Sequence, residues 1–436
     1  MLDARDLPVS CTNPRALEHY ERALLSFQNY FGDPLEPIDQ ALAEQPDFIL
    51  AHLFKAAAMH LSSERTAQAD ARASLAQAQA CSPHAHPREL AHLQALTLLV
   101  EGRWHVALQH IDQILQTYPQ DIFMLQVAHL IDFFRGDALN LRNRPARVLD
   151  DWEQTCPGYS FVLGMHAFGL EESNQYRDAE ATAGEALRLN RKDPWSIHAT
   201  IHVMEMQGRS SEGIAFLRAR QDDWAPDNGF AFHNWWHLGL LHLEAEEDEQ
   251  VKDLLVTQIF DPDVDASLAL LDATAMLWRL HLLGYRFEEL GATIARMWAA
   301  KTANEGGFYA FNDFHAALAF ATADAPEEID RLIGQTGQAD IPEFNRSMHD
   351  DIGLPLLHAI RAYARGEFST AIDLILPVRD RAYRFGGSHA QRDIINLTLL
   401  ACAIKAGQAG LTRHLLNERR TNKPDGRLGE RLLQIA

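Results

Sequence analysis

Four side chains between Asp193 and Met206 have the types and spacing for proton transfer or metal ligation: Trp195, His198, His202 and Glu205. The steps of 3, 4 and 3 between them place all four on one stripe of a helix. A neutral imidazole accepts or donates a proton near pH 7, and a carboxylate beside it fixes its tautomer and raises its basicity. Two imidazoles one turn apart also suit a single Zn²⁺-like ion. At about 1.5 Å per residue, His198 and Glu205 lie about 10 Å apart, so Glu205 is expected to orient His202 rather than join His198 on one ion. The HExxH pattern of zinc proteases is absent, so no metal is required by motif.

The run Phe232–His237 repeats the idea with His233, Asn234, Trp236 and His237, its two histidines again at i and i+4. Trp235 is assigned to packing. His198, His202, Glu205 and His237 form the expected acid–base set, with Trp195 and Trp236 as an apolar wall. A divalent metal, where one binds, would take His198, His202, His233 and His237. Asp272 stands in the apolar run Leu270–Trp278, where an unpaired carboxylate is costly, so a histidine or Arg279 is its expected partner. Asn312, Asp313 and His315 offer an amide, a carboxylate and an imidazole within a few residues; the plainer alternative is a helix N-cap and a surface histidine. After Gly386-Gly387 come Ser388, Gln391, Arg392 and Asp393. There a helix N-terminus and a guanidinium could hold a carboxylate or phosphate. Alternatively Ser388 caps the helix and Arg392 pairs with Asp393 at the surface. No Walker loop or dinucleotide fingerprint is present.

These residues need helices to position them. Asp193-Pro194 is a helix start and Gly208 a stop, and the chain has no sustained apolar/polar alternation bounded by hairpin turns. A short unit recurs in Glu101–Ala107, Glu172–Ala179 and Arg365–Ala371: a turn residue, an aromatic two later and an alanine three beyond. Asn174 replaces glycine in the second copy, and a degenerate copy fits around Gly136. The unit resembles the tetratricopeptide repeat, a helix–turn–helix of about 34 residues. The expected fold is therefore all-α, a tetratricopeptide-like α-solenoid of roughly ten or eleven helix pairs in one domain over 1–436, curled around an internal pocket. The segment after Asp261, the acidic Ala323–Glu328 and the stretch Ile341–Phe344 are expected to be longer connections or imperfect units.

Composition narrows the function classes. A net charge of −21 repels phosphate backbones and anionic lipids, so neither nucleic acid nor membrane is an expected partner. A local arginine in a pocket can still hold a small anion against a distant, screened acidic surface. No apolar run approaches spanning length, and the N-terminus lacks the basic start and apolar stretch of a secretory signal, so a cytoplasmic location is expected. Cys11, Cys81, Cys156 and Cys402 form no cluster and are expected to be reduced thiols.

The ordered motifs Tyr159–Glu171, Trp195-Ser-x-His-x-x-x-His-x-x-Glu-Met206, His233-Asn-Trp-Trp-His237, Phe311-Asn-Asp-x-His315, Asp351–Leu356 and Gly386-Gly-Ser-x-Ala-Gln-Arg-Asp393 resemble the tetratricopeptide repeat protein 38 family over nearly the whole chain. His389 stands where that family's pattern leads one to expect asparagine. The resemblance implies the repeat fold and places the polar residues named above in one pattern; it carries no catalytic assignment. The leading expectation is an enclosed His/Glu/Asp/Arg-lined site that binds a small polar metabolite, anions included, and transforms it by acid–base chemistry of a hydrolase or lyase kind without an obligatory cofactor. Two other readings stand beside it: an adaptor binding a peptide or protein in a concave groove, and a metal-binding scaffold without catalysis.

Overall fold

A computed structural model describes residues 1–435. Among these residues the chain is all-helical, with 25 α-helices; its β pairings are two isolated bridges, Leu2–Pro8 and Phe31–Asn228. Among the described residues no helix is long and apolar enough to cross a membrane. The chain forms two compact units, Met1–Thr200 with Asp222–Ala231, and Ile201–Gln221 with Phe232–Ala436. The boundary falls inside the helix Pro194–Met206.

In both units helices pack as neighbouring pairs, consistent with an α-solenoid. In the first, Ile49–Leu61 packs on Gln68–Cys81, Pro87–Val100 on Trp104–Thr117, and Tyr159–Glu172 on Tyr176–Leu189. In the second, Ala310–Thr322 packs on Pro326–Thr336 and Leu354–Ala364 on Phe368–Ile375. The recurring turn has a physical cause. Gly102, Asn174 and Gly366 have φ of 80°, 60° and 74°, the left-handed region that glycine and asparagine tolerate best. The aromatic two residues later starts the next helix in each case, at Trp104, Tyr176 and Phe368. Ala107, Ala179 and Ala371 are then fully buried, where only a small side chain lets the helices approach.

First and second helices of a pair differ in kind. Ala310–Thr322 is buried along almost its whole length, whereas Pro326–Thr336 buries only Ile329, Leu332 and Thr336. A helix covered on all sides has no polar face to give away its orientation. Ala323–Glu328, expected as a longer connection, is instead a tight turn: Asp324 has φ of 54° and Pro326 opens the next helix. The stretch Ile341–Phe344 runs from a short coil into the helix Glu343–Met348, and beyond it a π-helical turn at His349–Gly353 joins the next helix.

Close packing is strictest at Gly169. A β-carbon there would lie 2.3 Å from backbone atoms of Leu141 and Arg142 on the neighbouring helix. Backbone cannot swing aside as a side chain does, so Gly169→Ala is expected to lower the unfolding free energy by about 1–3 kcal/mol or more in urea denaturation. Gly184→Ala is the control: nothing lies within 4 Å of its β-carbon position, and the change should stabilise its helix by about 0.5–1 kcal/mol.

Candidate functional site

The second unit ties two histidines of one helix into a single hydrogen-bonded chain and sets a third beside it. His233, Asn234, Trp236 and His237 project from Ala231–Glu244, and Asp272 and Arg279 from Ser267–Leu282, two turns apart on one face. His202 and Glu205 come from the last turns of Pro194–Met206. Lys423 Nζ donates to Glu205 Oε1 at 3.1 Å, and Glu205 Oε2 accepts from His237 Nδ1 at 3.0 Å. His237 Nε2 lies 3.2 Å from His233 Nε2, and His233 Nδ1 donates to Asp272 Oδ2 at 2.6 Å. The His202 ring sits 4.5 Å from that of His237, centroid to centroid. All of these side chains are buried.

Aromatic and cationic groups close over this chain. Trp236 stacks on His233 at 5.3 Å with 15° between planes, and the Arg279 guanidinium lies 5.3 Å from the Trp236 ring. Arg279 is 2% exposed and donates to two carbonyls, Ala275 O and Ala390 O, with no carboxylate at ion-pair distance among the described residues. Burial pushes its pKa down, with Asp393 and Glu205 opposing. Burial, then the neighbouring His202, His233, Lys423 and Arg279, holds His237 well below the ordinary histidine range, so it is neutral at pH 7. Lys423 is charged: burial would lower it, but Glu205, Asp393 and Glu244 raise it above its ordinary value.

Near the chain, Asn234 Oδ1, Trp236 Nε1 and Asp272 Oδ1 are buried without a hydrogen-bond partner among the described residues. Such groups are rare because each is costly, and they are the groups a bound polar molecule satisfies. One imidazole nitrogen from each of His202, His233 and His237 lies within 4.8 Å of the others, so this cluster could hold a metal ion.

Several expectations change here. Glu205, expected to orient His202, holds His237 and Lys423 instead, because its carboxylate reaches across to the next helices rather than back along its own. The partner expected for Asp272 is His233. Trp195 and His198 belong to an aromatic cluster of the first unit. Trp195 lies 4.8 Å from His129 and 5.9 Å from Phe168; His198 lies 4.9 Å from Phe168 and 5.1 Å from Phe230. The helix start expected at Asp193 is present, with its carboxylate accepting from Ser196 N at 2.9 Å.

The later clusters divide as well. His315 is fully buried rather than at the surface; its Nδ1 lies 2.8 Å from Phe311 O, and burial pushes its pKa down to about 3. Asp313 accepts from Gly307 N at 3.1 Å, and Asn312 is buried on the same helix. Ser388 and Gln391 form a reciprocal capping box at the start of His389–Lys405. Arg392 donates to Gly387 O and lies 3.3 Å from His389 Nδ1. Asp393 does not pair with Arg392 at the surface; it takes Arg419 in two bonds of 2.6 and 2.9 Å.

Lys423, Arg419 and Glu244 carried no local signal, since Lys423 and Glu205 stand 218 residues apart in sequence. Arg279 was visible only as a cation in an apolar helix. A separate cavity of about 550 Å³ in the second unit, bordered by His281, Tyr285, Arg286, Tyr363 and Lys405, includes none of the candidates. No model of a known protein family matches the chain.

Proposed function

We propose that the second unit binds a small polar metabolite at the His202/His233/His237 centre and transforms it by acid–base chemistry of a hydrolase or lyase kind. We also propose membership of the tetratricopeptide repeat protein 38 family that the motifs resemble. The observation that carries the functional reading is the Asp272–His233–His237–Glu205–Lys423 chain. Both imidazoles have Nδ1 tied to a carboxylate, which makes Nε2 the basic atom of each and aims both at one point. A buried chain of five ionisable side chains is expensive to maintain for packing alone. The orphaned acceptors of Asn234 and Asp272 and the Trp236 N–H supply polar contacts for a ligand. Arg279 supplies a desolvated cation for an anionic end, in place of Arg392, whose guanidinium is engaged by Gly387.

The test is a metabolite panel read by thermal shift and then by turnover, on wild type and Arg279→Lys. Lysine keeps the charge but loses the planar fork, so anionic hits should bind about tenfold more weakly or worse to the variant. A panel with no hit, or hits that stabilise both proteins equally, would sink the proposal.

A further inference from the structure

The facing nitrogens of His233 and His237 pose a problem that the acid–base reading leaves open. His233 Nδ1 is 2.6 Å from Asp272 and His237 Nδ1 is 3.0 Å from Glu205. A carboxylate accepts, so each Nδ1 carries the hydrogen. In a neutral imidazole the other nitrogen is then a lone pair. With both imidazoles neutral, two lone pairs face each other across 3.2 Å inside a buried site, and a proton on one ring or a metal ion between them removes the conflict. Acceptor against acceptor is repulsive unless a positive centre lies between them.

The separation admits a shared ion. Two nitrogens at about 2.0–2.1 Å from one tetrahedral ion stand about 3.3 Å apart. At 3.2 Å the two nitrogens are compatible with sharing one ion. A third imidazole, His202, offers a nitrogen within 4.8 Å of both. Histidine ligands held by carboxylates through their remaining N–H are the usual outer shell of metal centres, where that contact fixes the tautomer and strengthens the ligand.

We propose that His202, His233 and His237 bind one divalent transition-metal ion of the zinc type, with Asp272 and Glu205 as positioning residues for His233 and His237. Nitrogen ligands select such ions over Ca²⁺ and Mg²⁺, which take oxygen. The inference rests on the same centre as the proposed function and names its cofactor.

The experiment uses the full chain, stripped with a chelator and titrated with Zn²⁺ alone by calorimetry and with Co²⁺ alone by visible absorption. One ion per chain is expected, with a ligand-field spectrum of low-coordinate cobalt. His233→Ala and His237→Ala should abolish binding, and Asp272→Asn should weaken it about 10–100-fold. Folded wild-type protein that takes up neither ion overturns the inference, whatever the variants do; so does binding left unchanged in both alanine variants, each checked for folding by circular dichroism. The two proposals fail separately. Metal uptake without turnover of any metabolite leaves the metal site and removes the enzyme, whereas full turnover by the stripped protein removes the metal and leaves the enzyme.

Discussion

His237→Ala is expected to reduce turnover of any substrate found for this protein by about 10²–10⁴-fold in kcat, the range for loss of a positioned acid–base group. His237 is the middle of the chain: its loss separates His233 and Asp272 from Glu205 and Lys423. Glu205 keeps Lys423 at 3.1 Å, so the variant leaves no carboxylate unpaired and should fold. Circular dichroism and a thermal melt check the fold, and steady-state kinetics the rate. Free imidazole, small enough for the space left by the ring, should restore part of the rate. An unchanged kcat would remove His237 from the machinery; a lost rate that imidazole does not touch would point to packing.

Arg419→Ala is expected to lower the unfolding free energy by about 3 kcal/mol, the cost of leaving buried Glu244 and half-buried Asp393 uncompensated. Arg419 binds Asp393 through two bonds and Glu244 through a third at 3.1 Å. Glu244 in turn accepts from the backbone of Arg427 and Leu428, at the start of the last helix, Leu428–Ile435. One guanidinium thus ties three helices. The pH dependence has a definite sign. Burial would push Asp393 up, but Arg419 and then Lys423 hold it well below the usual carboxylate range. Its folded pKa is below its unfolded one, so it stabilises the fold above about pH 4, and that contribution is lost as pH falls toward the folded value. Urea denaturation at pH 7 and at about pH 2 checks both parts: the variant should lose most at pH 7, and the gap between the two proteins should narrow only below about pH 4.

Much of the local structure was legible in residue types. Trp104, Tyr176 and Phe368 each open a helix after a left-handed turn residue, because the backbone there needs glycine or asparagine regardless of the rest of the fold. The same holds for the capping box of Ser388 and Gln391, whose bonds are made within four residues. His233 and His237 shared a face for the same reason: helical periodicity alone decides it. Even the burial of Asp272 followed from its apolar neighbours, and so did its need of a partner.

Partnership across helices was decided only in three dimensions. Nothing in the sequence separates Glu205 orienting His202 from Glu205 reaching His237, since both lie within a carboxylate's span once neighbouring helices pack. Nor did the polar stripe of Pro194–Met206 reveal that Trp195 and His198 pack among aromatics of the first unit while His202 and Glu205 serve the second. The surface pair expected of Arg392 and Asp393 failed for the same reason, because Arg419 lies on another helix. Local rules such as φ preference, capping and periodicity act over a few residues, so the sequence determined the helices, their turns and the faces that carry histidine. Charge pairing acts through space at about 3 Å and ignores chain distance, so only the tertiary structure could bring Lys423 to Glu205 and set the nitrogens of His233 and His237 facing each other.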